Sequence, residues 1–139
     1  MTVADASVGL STGVDLICTR EDGKEKRLVL VEIKAGWNRE STYDATDGNM
    51  KGCLCDLPNS ARHQHAVQTV VTRALFKRSY PESGSPEACV LRVTDEGVHI
   101  HPVDSNLYKR APAIMEALSK VSEAKPKFKK ARVSIKRKK

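Results

Sequence analysis

Residues 13–36, GVDLICTREDGKEKRLVLVEIKAG, contain two apolar runs separated by Glu21-Asp22-Gly23-Lys24. An Asp-Gly pair between two segments that favour extended backbone predicts an antiparallel hairpin. Side chains alternate along a strand. A tight turn at Asp22-Gly23 therefore sets Gly13, Asp15 and Ile17 on one face with Leu28, Leu30, Glu32 and Lys34. Val14, Leu16 and Cys18 share the opposite face with Val29, Val31 and Ile33. That second face is apolar throughout and is expected to be covered. The first is apolar near the turn and gathers Asp15, Glu32 and Lys34 at its far end, within diagonal reach of one another. Two carboxylates and an ammonium in such a group suit the holding of Mg²⁺ against a phosphodiester. The same residues also fit an ordinary strand pair with a surface ion pair.

Farther along, the pattern predicts a helix over about residues 60–79, capped by Asn59 or Ser60, with Val67, Val70, Val71, Ala74 and Leu75 as its core stripe. Gln64 and Gln68 lie one turn apart on a neighbouring face. Strands follow at about 87–94 and 97–104, joined at Glu96-Gly97. A last helix spans about 112–123, with Ala113, Ile114, Ala117, Leu118 and Val121 as its apolar side. An additional strand is expected at about 3–9.

Taken in order, Gly13-Val14-Asp15, Glu32-Ile33-Lys34, Gln68 within RHQHAVQTVVTRALF, and the closing strands EACVLRVTD and GVHIHPVD resemble the PD-(D/E)xK nuclease superfamily. The likeness is to the branch that includes RecB-type nucleases, lambda-exonuclease-like enzymes and archaeal Holliday-junction resolvases, and it spans residues 5 to 104. It implies an α/β fold, restriction-endonuclease-like, with a mixed central sheet flanked by helices. It also implies metal-dependent hydrolysis of DNA phosphodiesters. Asp15, Glu32 and the carbonyl of Ile33 would ligate Mg²⁺ or Mn²⁺, Lys34 would contact the attacking water or the phosphate, and Gln68 (Gln64 as second choice) would steady that water or the helix. The alternative is a catalytically inactive nuclease-fold module for DNA binding or assembly. Three departures stand out. Val14 occupies the usual Pro position, and Thr72 stands where an aromatic residue often follows the helical Gln. Only twelve residues precede Gly13, so the helix that commonly donates a further acid is expected to be missing or to come from a second copy or a partner chain.

The 139 residues are expected to form one domain over 1–124, with 40% hydrophobic content, and a disordered basic tail over 125–139. No charged-then-apolar leader or long apolar run is present, which predicts a soluble intracellular chain. The net charge of +7 belongs to the tail: KPKFKKARVSIKRKK holds seven Lys, two Arg and no acid, leaving fifteen basic and seventeen acidic groups in the body. Lys129, Lys130, Arg132, Lys136 and Arg137 read as a phosphate-binding arm, as a nuclear localisation signal of a eukaryotic or viral protein, or as a solubilising extension.

Residues 37–59 read as a long loop leaving the charged strand end. Within it, Trp37, Arg39, Tyr43 and Lys51 suit stacking on a base and pairing with phosphate, and Trp37 equally suits a core position. Asp44 and Asp47 are within reach of a second metal or simply solvate the loop. Cys53, Cys55, His63 and His65 hold the ligand types of a tetrahedral zinc site at unusual spacing, and a zinc-stabilised adaptor is the corresponding rival function. Cys18 and Cys89 fall in apolar strands and read as buried thiols. His99 and His101 share a strand face that reads as an exposed edge.

Overall fold

The structure, a computed structural model, describes residues 1–7, 9–36 and 39–124, with side chains through Val121. Trp37 and the whole of the basic tail, including Lys129, Lys130, Arg132, Lys136 and Arg137, lie outside the described residues.

The hairpin forms with the expected faces, but its turn lies one residue later than the expected Asp22-Gly23. Strand β3 (Leu16–Asp22) pairs antiparallel with strand β4 (Glu25–Ala35), in the register Leu16↔Val31, Ile17↔Leu30 and Asp22↔Glu25. The two-residue connection is Gly23-Lys24, with φ +61° at Gly23, a conformation that glycine adopts without a Cβ penalty. The preceding segment differs from expectation. Strand β1 (Thr2–Asp5) and strand β2 (Leu10–Gly13) form a separate two-stranded hairpin, and the chain breaks at Val14-Asp15 before β3 begins. The reversal has a local cause: the Asp5 carboxylate accepts from the backbone N–H and the hydroxyl of Ser7, at 2.9 and 2.5 Å, and Gly9 follows at φ +63°.

Helix α1 (Ala61–Ser79) starts at Ser60, whose hydroxyl accepts from the His63 N–H. It carries the chain over to strand β5 (Glu87–Thr94), which pairs in parallel with β4. Strand β6 (Gly97–Pro102) then closes antiparallel on β5. The result is a mixed four-stranded sheet in the order β3-β4-β5-β6. Helices α2 (Ser105–Lys109) and α3 (Ala111–Ala124) join α1 on one face, where Leu30, Val70, Leu75, Phe76, Ala88, Leu107, Ile114 and Met115 form one apolar core. The β1–β2 hairpin packs beside α1, tied by the Arg78–Asp5 ion pair.

Several sequence expectations are corrected here. The apolar face of the β3–β4 hairpin is covered only in part: Val31 is 6% exposed, but Leu16 is 45% and Ile33 42% exposed, because α1, α2 and α3 all pack into the core on the other side. Cys18 is exposed for the same reason, and Cys89 is half-buried. On α3 the buried side chains are Ile114 and Met115, with Ala111 and Leu118 partly covered. Ala113, Ala117 and Val121 face outward. Residues 39–59 are not structureless. They hold two 3₁₀ turns, Glu40–Thr42 and Gly52–Leu54, and a bridge between Asn49 and Pro58.

Leu30 is 2% exposed at the centre of the core. Leu30→Ala is expected to destabilise the fold by about 2–5 kcal/mol through lost burial and a residual cavity. The check is a lower urea midpoint at unchanged slope.

Candidate functional site

The β3–β4 ladder ends at Leu16↔Val31, so the Ile33 N–H on that side needs another acceptor. Asp15 supplies it: its Oδ2 accepts from Ile33 N at 2.8 Å. The break that turns the β1–β2 hairpin into β3 thus places the Asp15 carboxylate beside the Glu32-Ile33-Lys34 segment. Glu32 and Lys34 alternate onto the α1 face of the sheet, and Gln68 comes down on them from the first half of α1.

The three form a closed triangle. Lys34 Nζ donates to Glu32 Oε1 at 2.8 Å and to Gln68 Oε1 at 3.0 Å, and Gln68 Nε2 donates to Glu32 Oε1 at 2.7 Å. Glu32 is 5% exposed, a depth at which a carboxylate requires such partners. Glu32 Oε2 and Asp15 Oδ1 accept no hydrogen bond from the described residues, so each carboxylate keeps an oxygen on which a cation could sit. The donor set of two carboxylates and the Ile33 carbonyl is all hard oxygen and fits Mg²⁺ or Mn²⁺. Among the described residues no three His, Cys, Asp or Glu side chains gather at a metal-sized spacing.

A second charged group that sequence reasoning missed adjoins the first. Parallel pairing sets Arg92 beside Lys34. Arg92, 5% exposed, donates to Glu40 Oε2 at 2.6 Å and lies over the Tyr43 ring at 4.2 Å. His101 Nε2 stands 2.7 Å from Glu40 Oε1, close enough for a charge contact but outside hydrogen-bond alignment. Nε2 of His99 is buried without a hydrogen-bond partner among the described residues. Tyr43 OH shares a 2.8 Å hydrogen bond with His65 Nδ1. The signal in the sequence was Arg92 at an inward position of an apolar strand, two residues after Val90. Its meaning depended on the parallel register.

Other expected residues are placed elsewhere. Tyr43 is 2% exposed and is a buried partner of Arg92, so it is not a surface for stacking bases. Arg39 and Lys51 are exposed on the 39–59 segment. Gln64 donates to Asn59, away from the triangle, which leaves Gln68 as the helical Gln of the site. Asp44 is paired with Arg62. His63 and His65 engage Ser60 and Tyr43 separately, and with Cys53 and Cys55 they form no zinc cluster among the described residues. His99 and His101 turn inward as part of the buried polar group, correcting the expected exposed edge. A cavity of about 500 Å³ lies apart, between Arg62, His63, Asp104 and Arg110, and both of its arginines are already paired with Asp44 and Asp56. No protein-family model, curated protein or solved structure matches this chain.

Burial first, then the charges of Lys34 and Arg92, push the His65 imidazole below its ordinary range. Burial also lowers His101, against the pull of Glu40. A His whose pKa is depressed on folding contributes stability that is present above its unfolded pKa, about 6.5, and lost as pH falls through the folded value. Asp5, held at about 2 chiefly by Ser7 and Arg78, and Asp56, held at about 2 by Arg110, stay ionised throughout that window. Stability is therefore expected to fall as pH drops from about 7 to about 5. His65→Asn is expected to flatten the profile, measured as the urea midpoint against pH.

Proposed function

We propose that the chain is a metal-dependent nuclease acting on DNA phosphodiesters, with Asp15, Glu32, Lys34 and Gln68 as its working residues and a restriction-endonuclease-like core. The observation that carries the reading is the convergence of two carboxylates, an ammonium and a helical amide from three separate elements onto one sheet edge. Two of the bonds involved, Ile33 N to Asp15 and Gln68 to Glu32, have no role in the apolar core.

In this reading Asp15, Glu32 and the Ile33 carbonyl hold the ion. When bound, Mg²⁺ or Mn²⁺ supplies charge neutralisation at a phosphate oxygen and lowers the pKa of a coordinated water. Asp15 is oriented by the Ile33 N–H. Gln68 fixes the Glu32 rotamer through Nε2 and holds Lys34 through Oε1, so the ammonium is aimed before substrate arrives. Lys34 then donates to a non-bridging oxygen or to the attacking water, within reach of the Glu32 carboxylate that balances its charge. Arg39 and Lys51 are exposed cations on the following segment, suited to flanking phosphates, and the nine cations of residues 125–139 form a sequence-independent arm.

A second reading has its own observation. The Glu32–Lys34–Gln68 triangle satisfies itself internally, as it would in a module that keeps the fold for DNA binding or assembly without turnover.

Cleavage of labelled linear duplex, single strand, nicked circle and four-way junction, with Mg²⁺, Mn²⁺ or EDTA, separates the two. Metal-dependent cutting is expected for the wild type, and its loss to background in Asp15→Ala. Gln68→Ala is expected to lose about 10–100-fold in activity or metal affinity, as for groups that orient ligands. Binding without cutting by the wild type would favour the module, and cutting retained in Asp15→Ala would remove the site assignment. Deleting residues 125–139 is expected to flatten the salt dependence of duplex binding, by a log–log slope of up to about 8 if every cation meets a phosphate. Titration over a salt series reads this directly.

A further inference from the structure

The segment from Gly48 to Asn59 folds back on the start of α1 and leaves a slot of about 450 Å³ between the two, within the usual size of small-ligand sites, about 300–1,000 Å³. Backbone bonds fix its wall: Met50 N–H donates to the Leu57 carbonyl at 2.9 Å, and Asn59 N–H to the Gly48 carbonyl at 2.8 Å. Half-buried Met50 and Leu54 line one side, and Val67 of α1 lines the other. The polar lining consists of the carboxamides of Asn49, Asn59 and Gln64 and the exposed Lys51, with no acid and no His among them.

Each of these amides is held inside the protein by one of its two ends. Asn49 Nδ2 donates to the Cys55 carbonyl at 3.0 Å, and Gln64 Nε2 donates to Asn59 Oδ1 at 2.9 Å. Asn49 Oδ1, Gln64 Oε1 and Asn59 Nδ2 are left without partners among the described residues. Turning over both amides of the Asn59–Gln64 pair exchanges their roles and leaves the same free set, two acceptors and one donor. An amide anchored at one end presents the other in a set direction, so ordering it around a ligand costs little.

We infer that this slot receives an unpaired guanine of the DNA strand held at the neighbouring charged edge. The inference rests on the nuclease reading and adds to it a class of substrate, a strand with unpaired bases. Chemistry selects the base. Carboxamides recognise base edges by offering a donor and an acceptor together. Along its Watson–Crick edge guanine carries two donor groups, N1–H and the N2 amino group, beside the O6 acceptor. Adenine, cytosine and thymine carry a single donor group there. Two free acceptors and one free donor are the complement of guanine alone.

Pairing in a duplex occupies that edge, so the base has to be unpaired to be read in this way. The apolar sides formed by Met50, Leu54 and Val67 suit the two faces of a flat ring, and Lys51 suits the phosphate that accompanies it. The position agrees with the chemistry. Gln64 and Gln68 lie one turn apart on α1, with about 5–6 Å between Cβ atoms at such a spacing, so the slot lies beside the Glu32–Lys34–Gln68 triangle. Gln64 thereby has a role distinct from that of Gln68.

The test is fluorescence anisotropy of labelled oligothymidylates with one central dG, dA, dC or dT, using the full chain in EDTA so that no strand is cut. The dG strand is expected to bind about 10-fold or more tightly than the other three, and the advantage to disappear when its dG is paired in a duplex. Gln64→Leu removes a free acceptor, and Asn59→Asp replaces the free donor by an acceptor. Both positions are exposed, so both variants are expected to fold, with circular dichroism as the check. Each is expected to abolish the dG advantage, whereas Lys51→Ala is expected to weaken all four strands alike. Equal affinity of the wild type for the four strands, a dG advantage that survives both Gln64→Leu and Asn59→Asp, or one that persists in duplex would each overturn the inference. The readout is binding without metal, so the two readings fail separately: a dG advantage in a protein that cuts nothing leaves the slot and removes the nuclease, and cutting without a dG advantage does the reverse.

Discussion

The parallel pairing of β4 with β5 is the constraint from which the rest of the structure follows. Two consecutive parallel strands cannot be joined by a turn, and the crossover between them is α1 with its flanking segments. A crossover helix has to lie on one face of the sheet. Here it lies on the face that carries Leu30, Ala88 and Val90, which fixes the core and brings Gln68 down onto Glu32 and Lys34. The same pairing puts Arg92 next to Lys34. With all three helices on that side, the other face is left open.

Two cations side by side in a half-buried layer are unfavourable unless each has its own anion. The molecule meets this by interleaving Glu32 with Lys34 and Glu40 with Arg92. Glu40 comes from the 3₁₀ turn that follows the charged strand end, so the segment after β4 is tied down by electrostatics more than by apolar burial. Tyr43 completes the arrangement by placing its ring under the Arg92 guanidinium and its hydroxyl on His65. A loop read from the sequence as a nucleic-acid contact is, at Tyr43, part of the charge balance of the site. Arg39 and Lys51 remain exposed to act outward.

The hairpin was legible because its turn chemistry and its period-2 alternation agree, and α1 because Ser60 and the Val70–Leu75 stripe agree. Glu32, Lys34 and Gln68 come together as their positions in strand and helix imply, whereas Asp15 reaches them from outside the strand, through the Ile33 N–H. Other features depended on long-range pairing that no local pattern encodes. Arg92 is a lone charge in an apolar strand, and only the parallel register sets it beside Lys34. Cys18 was read as buried because its neighbours are apolar, although burial depends on what covers a face. The reversal between β1 and β2 turned on a two-residue Asp5–Ser7 contact in a segment whose composition favours a strand. Of the sequence departures, Thr72 now has a role: it is buried against Thr12 of the β1–β2 hairpin, with the two hydroxyl oxygens 3.4 Å apart, where an aromatic ring would displace the hairpin.

Ile33 joins the two faces of the sheet. Its N–H holds Asp15, its carbonyl belongs to the oxygen set proposed for the ion, and its side chain points into the open face. Glu32 and Lys34, on either side, point the other way. Whatever body covers the apolar face packs on the Ile33 side chain, and through it restrains the backbone groups that orient Asp15. A hydrogen bond near the end of a strand ladder is ordinarily prone to fraying. Packing on Ile33 from outside would suppress that fraying at the residue where the geometry of the two carboxylates is set, so association on one face would pre-organise the charged edge on the other.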